Sequence, residues 1–218
     1  DDPTLRTALQ HLEPASPILG WNGGDELETT RLSTLYGHFQ TATDWCLNLP
    51  ILMADAATAR PAKVSHASLH RIDWNDRRNA VSFVMTDGDN VQWYEGDFFF
   101  TNSDFWNSPT RGQIPFGWSC CFSHLSQLAP LIIDHANSSR AAKDDFIEWG
   151  GGYYYPDLFA ASRPNRWELL SQHAARTCEL MKQNETRIIG FNMVNVASPD
   201  ARRAYEVIAQ ASDQLWAI

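Results

Sequence analysis

Short uncharged apolar segments alternate with amphipathic segments along most of the chain. Runs rich in β-branched and aromatic residues predict strands, and apolar residues at a spacing of three to four predict helices. The predicted strands are 18–21, 47–53, 80–85, 116–120, 146–149 and 187–194. The predicted helices are 4–12, 28–40, the start of 91–100, 125–136 with an early break at Pro130, 167–183, and the segment from Pro199 to the end. This alternation is typical of an α/β protein whose parallel sheet is covered on both faces.

The segment after the fifth predicted strand departs from this pattern. Three glycines, three tyrosines and a proline follow one another over residues 150–156. Glycines can adopt positive φ and let another backbone or a ligand come close. Tyrosine rings can stack on a sugar and also hydrogen-bond to it. The alternative is a glycine-rich turn with tyrosines packed against a neighbouring helix, and the residues alone leave both interpretations open.

The 150–156 segment resembles the motif that names the GxGYxYP family of putative glycoside hydrolases. Segment 84–93, which contains Asp-Gly-Asp-Asn, and segment 114–119, followed by Leu-Ala-Pro at 128–130, resemble the same family in the expected order. The resemblance covers most of the chain. It implies a TIM-barrel-like C-terminal domain of a larger protein, with an N-terminal domain in the same parent chain.

About six βα units are expected within a single domain over residues 1–218. With the resemblance added, these units suit a (β/α) barrel better than a doubly wound sheet. A complete barrel has eight strands in roughly 250 residues, so the barrel is expected to be incomplete or distorted.

The charge and composition exclude several classes of partner. The net charge of −9 and the lack of a basic cluster argue against nucleic acid and anionic membranes. No apolar run is long enough to span a membrane. The sequence has no phosphate-binding glycine loop and no CxxC pair, so no cofactor is expected. Four cysteines leave the compartment open, with Cys46 and Cys178 predicted as buried free thiols. The parent protein is expected to be secreted or periplasmic.

The candidate site follows from where reactive groups lie in such barrels, on the loops after the C-terminal ends of the strands. The catalytic candidates are Asp87 and Asp89 after the third strand and Glu148 in the fifth. The substrate-binding candidates are the polar and aromatic residues near the ends of five strands, namely Trp21, Asn22, Asp25, Glu26, Asn90, Trp93, Trp118, Ser119, Tyr153, Tyr155 and Asn192.

Each catalytic candidate also has a structural alternative. Two carboxylates as close as Asp87 and Asp89 disfavour joint ionisation, so one could act as an acid. They could equally bind a hard cation or cap the next helix. Glu148 is an acid or base candidate if it points into the barrel mouth, and an ion-pair partner if it points outward. His66 and His70 have a zinc-compatible spacing but precede the third strand, so no metal site is predicted there.

The sequence therefore predicts a glycoside hydrolase that acts on an oligo- or polysaccharide by carboxylate acid/base catalysis. Two carboxyl groups roughly 5 to 10 Å apart are needed, and Asp25 or Glu26 could substitute for a member of the pair. The alternatives are a non-catalytic carbohydrate-binding domain and a metal-dependent hydrolase of the polysaccharide deacetylase kind. A further expectation is that Asp87, Trp118 and Tyr153 converge on one pocket, since consecutive barrel strands share one rim.

Overall fold

The computed structural model describes residues 3–21, 25–46, 49–56, 62–66, 73, 75–79, 81–85, 87–88 and 90–215. Its strands are β1 (Pro17–Leu19), β2 (Phe39–Thr41), β3 (Val84–Met85), β4 (Phe116–Cys120), β5 (Asp144–Trp149) and β6 (Ile189–Gly190). Its helices are α1 (Pro3–His11), α2 (Glu26–Leu35), α3 (Leu49–Ala56), α4 (Val91–Tyr94), α5 (Asp97–Phe100), α6 (Phe122–Leu128), α7 (Pro130–Ser139), α8 (Arg166–Asn184) and α9 (Pro199–Ala209). None of the helices in this part of the chain is long and apolar enough to cross a membrane.

The strands form two parallel sheets. β1 and β2 pair with each other, and the larger sheet has the order β3-β4-β5-β6. Every pair in both sheets joins consecutive strands, as expected for successive βα units. The sheets are linked by an isolated antiparallel bridge between Gln40 and Tyr153. The predicted mixed α/β class with parallel sheets is confirmed, while no barrel closure is seen across the described residues.

The strand predicted at 47–53 is wrong. Residues Leu49–Ala56 form α3, and Leu47 and Asn48 lie outside the described residues. Proline lacks the N–H that a central strand needs but is tolerated in the first turn of a helix, which is where Pro50 lies. The actual second strand is β2, within and just beyond the end of the predicted helix 28–40. Helix α2 stops at Leu35, and Gly37 turns the chain with φ of +82°.

The other elements agree more closely with the sequence pattern. β4 has the predicted bounds, α8 differs from its prediction by one residue at each end, and Pro130 begins a new helix after α6. The strands predicted at 80–85 and 187–194 are shortened to two residues each, with Ala80 outside the described residues. Their apolar patterns were therefore better guides to location than to length.

An aromatic core packs one face of the large sheet against the helices. Trp118 from β4 and Phe146 from β5 meet Trp106, with ring centroids 4.9 and 6.1 Å away, and Phe122 of α6 packs on Phe146. Buried and half-buried residues alternate along β5. Because strand side chains alternate between faces, Glu148 shares the helix-covered face with Phe146. Burying one such aromatic side chain contributes about 2 to 3 kcal/mol.

His66 ties the segment before β3 to the start of β5. Its Nδ1 lies 2.6 Å from a carboxylate oxygen of Asp145, and its Nε2 lies 2.7 Å from the carbonyl oxygen of Glu185. The hydrogen bond to Asp145 raises the pKa of His66, although partial burial opposes the shift. His66 therefore already has two partners in the folded chain, and His70 lies outside the described residues.

We expect the His66–Asp145 contact to make stability depend on pH. The folded state holds the imidazole proton more tightly than the unfolded chain does. The contact between the protonated imidazole and Asp145 therefore stabilises the folded state fully below the unfolded pKa of about 6.5. This contribution of the charge is lost as pH rises through the higher folded pKa. His66→Gln should lower the free energy of unfolding by roughly 1 to 3 kcal/mol at pH 6, with a smaller loss at high pH. Urea unfolding at several pH values measures this, and a pH-independent loss would contradict it.

Candidate active site

A cavity of about 830 Å³ lies where the ends of β2 and β3 meet α4 and α5. The segment after β2 contributes Asp44, Trp45 and Cys46, and the segment after β3 contributes Asp87. The two short helices and the loop after them complete the wall with Gln92, Trp93, Tyr94, Gly96, Asp97, Phe98, Asn102 and Phe105. Three carboxylates and several aromatic rings therefore line one cavity.

Asp87 is held in an uncommon backbone conformation at the edge of this cavity. Its φ is +71°, a left-handed value that aspartate adopts more readily than most non-glycine residues. The indole N–H of Trp93 donates to Asp87 Oδ2 at 3.1 Å, and the side-chain amide of Asn90 donates to Oδ1 at 3.4 Å. The side chain is nevertheless exposed. Its carboxylate is thus oriented by two donors while it remains open to a ligand.

Gly88 explains why a glycine follows Asp87. A Cβ on Gly88 would lie 2.6 Å from the hydroxyl oxygen of Ser119, and the carbonyl of Gly88 accepts a 2.9 Å hydrogen bond from the backbone N–H of Cys121. The hydroxyl of Ser119 in turn donates to the carbonyl of Met85. Ser119 is fully buried, so it fixes the ends of β3 and β4 to each other and is not available to a substrate.

The segment after β2 is held over the cavity by Gln92. The backbone N–H of Gln92 donates to the carbonyl of Ala42 at 3.1 Å, and its side-chain oxygen accepts from the backbone N–H of Trp45 at the same distance. The rings of Trp45 and Trp93 are 6.1 Å apart, and Trp45 is 67% exposed. The exposed ring of Trp45 and the half-buried ring of Trp93 lie beside carboxylates and provide surfaces on which sugar rings can stack.

A buried acid lies next to this cavity. Cys46 lines the cavity, and its thiol donates to Glu95 at 2.5 Å. Glu95 is fully buried, and this burial raises its pKa, with the thiol hydrogen bond opposing the shift. Sequence reasoning missed Asp44, Cys46, Glu95 and Asp97. Asp44 and Cys46 were missed because β2 was predicted as part of a helix, so that the residues after it were not recognised as following a strand. Glu95 and Asp97 follow Asp87 by eight and ten residues, and this short spacing could have identified them.

Glu148 does not line this cavity. It is fully buried at the start of α6, where its carboxylate accepts hydrogen bonds from the backbone N–H and hydroxyl of Ser123 at 2.8 and 2.9 Å. The backbone N–H of Gly151 donates to it at 3.0 Å. Burial raises the pKa of Glu148 to about 7, although these donors oppose the shift. The carboxylate of Glu148 therefore faces α6 and the glycine loop, and no arginine in the described part of the chain pairs with it.

The three glycines after β5 use the freedom that the sequence offers and all have positive φ: +70° at Gly150, +74° at Gly151 and +133° at Gly152. The groups that come close to these glycines belong to the protein itself. A Cβ on Gly151 would lie 2.5 Å from the hydroxyl oxygen of Thr177, and one on Gly152 would lie 2.6 Å from the ring of Phe39. The glycines therefore allow β2 and α8 to pack closely against this loop.

The tyrosines that follow are buried against the protein. Tyr153 is 7% exposed and exchanges two backbone hydrogen bonds of 2.9 Å with Gln40. The hydroxyls of Tyr153 and Tyr155 lie 3.3 Å apart, and the ring of Trp21 meets Tyr153 edge-on at 5.8 Å. The alternative of a glycine-rich turn with packed tyrosines describes this segment better than an open sugar-stacking surface.

The remaining candidates are dispersed. Trp118 is 4% exposed within the aromatic core, so the expected convergence of Asp87, Trp118 and Tyr153 on one pocket is wrong. Asp25 caps α2 by accepting from the backbone N–H of Glu28 at 2.8 Å. Glu26 is exposed in the first turn of α2, and Asn192 is half-buried after β6. Asn22 and Asp89 lie outside the described residues. Of the predicted set, the structure brings Asp87, Asn90 and Trp93 together.

Metal-type ligands do not cluster in the part of the chain that is described. No group of three or more histidine, cysteine, aspartate or glutamate side chains there could hold a metal ion. Cys46 and Cys178 form no disulfide, as expected; Cys178 is buried as predicted, whereas Cys46 is only half-buried.

Gly151→Ala should destabilise the fold by roughly 2 to 4 kcal/mol, because it combines a left-handed alanine with overpacking against Thr177. Thr177→Ala removes the two side-chain atoms that lie within 2.7 Å of the added Cβ. The double variant should therefore lose about 1 kcal/mol less free energy of unfolding than the sum of the losses in the two single variants. Urea unfolding of all four proteins measures the coupling, and strictly additive losses would show that the contact is not the cause.

Glu148→Gln should remove a pH dependence of stability. Because the folded pKa lies near 7 and the ordinary value is 4.5, the folded state keeps this proton to higher pH than the unfolded chain. Wild-type stability should then fall relative to the variant as pH rises from about 4.5 to 7, by roughly 3 kcal/mol in all. The exposed Glu179→Gln is the matched control and should parallel wild type. Parallel curves for Glu148→Gln as well would contradict the assignment.

Comparisons with known proteins show a shared fold and a family. A crystal structure of a putative hydrolase from Bacteroides thetaiotaomicron VPI-5482 aligns with a TM-score of 0.78 at 18% sequence identity. The alignment covers 97% of this chain and 39% of that one, so the two share this fold, and the chain spans well under half of that protein. No curated protein sequence matches significantly. Residues 78–215, more than half of the chain, match a family described as GxGYxYP putative glycoside hydrolase C-terminal domain. The chain therefore belongs to the GxGYxYP family of putative glycoside hydrolases.

Proposed function

We propose that this domain hydrolyses glycosidic bonds of an oligo- or polysaccharide in the cavity beside Asp87. The observation that carries the proposal is that three carboxylates, those of Asp44, Asp87 and Asp97, line one open cavity with the rings of Trp45 and Trp93. Glycoside hydrolysis needs two carboxyl groups on either side of the scissile bond. Aromatic rings beside them supply the stacking surfaces that sugars favour.

In this proposal, Asp87 is the nucleophile or base. Its two side-chain donors hold the carboxylate in one orientation, as a group that attacks carbon or activates water requires. Asp44 or Asp97 supplies the second carboxyl group, and both are exposed to the same cavity. Asp89 is retained as a further member of the catalytic group on the strength of the motif.

Glu148 has a different part in the proposal. Its three hydrogen bonds join the start of α6 to the glycine loop, so it acts as a positioning residue and does not exchange a proton with the substrate. The alternative is the role predicted from the sequence, in which Glu148 is the catalytic acid or base. The kcat of a Glu148→Gln variant distinguishes the two roles.

The proposal extends to the architecture. We infer that the two parallel sheets are parts of one distorted TIM-like barrel, supported by the consecutive parallel pairing and by the Gln40–Tyr153 bridge. The parent protein is proposed to carry an N-terminal domain in the same chain.

We expect Asp87→Asn to lower kcat/KM on a matched glycan by at least about 100-fold, the usual contribution of a carboxylate that transfers a proton or attacks. The substrate would come from a reducing-sugar screen on the full-length protein. Asp44→Asn and Asp97→Asn identify the second carboxyl group, because one of them should show a similar loss. Asp134→Asn removes the same charge from an exposed position on α7 and is the control.

Glu148→Gln should lower activity only to the extent that it unfolds the protein. At temperatures where the variant is folded, its kcat should equal that of wild type. Full activity of Asp87→Asn would exclude the proposed site. Glycan binding that Trp93→Ala weakens, without release of reducing ends by wild type, would instead identify a carbohydrate-binding domain.

A further inference from the structure

A second cavity of about 210 Å³ lies between α8, α6 and the small sheet. It shares no described lining residue with the Asp87 cavity. One stripe of α8 forms a wall, with His173, Arg176, Thr177 and Leu180 at the spacing that places side chains on one face of a helix. The remainder includes the aliphatic side chains of Leu19, Met53 and Leu128 and the ring of Phe39, and is completed by Pro17, Thr41, His124, Gln127 and Gly151.

His173 is a buried polar group with unmet hydrogen bonds. It is 3% exposed, and neither ring nitrogen has a hydrogen-bond partner among the described residues. The imidazole is stacked between Phe39 and Phe159, with ring centroids 5.0 and 5.2 Å away. Burial lowers the pKa of His173 to about 3, with further contributions from His124 and Arg176, so the ring is neutral. A neutral imidazole offers one donor and one acceptor, and buried groups of this kind normally have partners.

Arg176 gives the cavity a single positive charge. The residue is exposed, and no carboxylate in the described part of the chain forms an ion pair with it. Its charge helps to lower the pKa values of both His124 and His173, after the larger effect of burial, so it acts on both rings. No aspartate or glutamate is among the described lining residues. The cavity thus combines one unpaired guanidinium with neutral imidazoles and apolar walls.

We propose that this second cavity binds a small aromatic carboxylate. The guanidinium of Arg176 pairs with the carboxylate, as such forks do in proteins. The aromatic ring lies against Phe39 and the aliphatic side chains, and a ring nitrogen of His173 gains its missing hydrogen bond from the ligand. A volume below the roughly 300 to 1,000 Å³ of typical drug-sized sites fits a single-ring ligand. This inference does not depend on the proposed glycosidase activity.

Calorimetric titration of the full-length protein with benzoate, and with benzamide as its uncharged analogue, tests the charge requirement. Benzoate should bind at least about 10-fold more tightly than benzamide. Arg176→Gln should weaken benzoate binding by a similar factor, whereas Lys182→Gln, an exposed position on the same helix, should leave it unchanged. The absence of benzoate binding at millimolar concentration, equal binding of the two compounds, or equal effects of the two substitutions would overturn the proposal.

His173→Phe distinguishes a binding role from a packing role. Phenylalanine keeps the stacking on Phe39 and Phe159 and removes two unpartnered nitrogens, so the variant should have a Tm higher by about 2 to 4 °C. It should also bind benzoate several-fold more weakly. In wild type, benzoate should shift the imidazole NMR signals of His173. A lower Tm with unchanged benzoate affinity would show that His173 serves packing alone and would overturn its part in the site.

Discussion

Two backbone hydrogen bonds between Gln40 and Tyr153 join the small sheet to the large one, and much of the described structure depends on this junction. They bring β2 against the loop after β5, where Phe39 occupies the space that a Cβ on Gly152 would need. Gly152 is therefore a condition of this pairing. The same junction fixes where the chain leaves β2, and so places Asp44 and Trp45 at the edge of the Asp87 cavity.

Buried and exposed carboxylates have separate tasks in this domain. Glu148 and Glu95 are fully enclosed, and burial raises the pKa of each, which suits groups that hold loops and thiols in place. Asp87, Asp44 and Asp97 remain open to solvent. A charge in water costs little to maintain and can meet a ligand, whereas an enclosed charge needs donors around it. Glu148 meets that need with Ser123 and Gly151.

The sequence predicted those parts of the fold whose signals are local. The apolar run of β4, the break at Pro130 and the long periodic helix α8 were all recognisable, and the glycines at 150–152 were recognised as residues able to take the positive φ that they have. β2 was not predictable in this way. It has three residues, two of them polar, and its burial comes from partners far away in the sequence. The aromatic core lies between the helices and one face of the large sheet. The apolar pattern of a strand does not show which of its side chains point to that face. The direction of Glu148 and the burial of Trp118 could therefore not be derived from the sequence.

The segment from Phe39 to Cys46 lies between the two cavities. Thr41 lines the smaller one, and Asp44, three residues later, lines the larger one. A ligand that displaces this segment from one side changes the shape of the cavity on the other side. Thermodynamic linkage then requires the effect to be mutual: whatever factor one ligand applies to the affinity of the second, the second applies to the first. If both proposed sites are occupied, β2 and the residues after it are the element through which one ligand would act on the other.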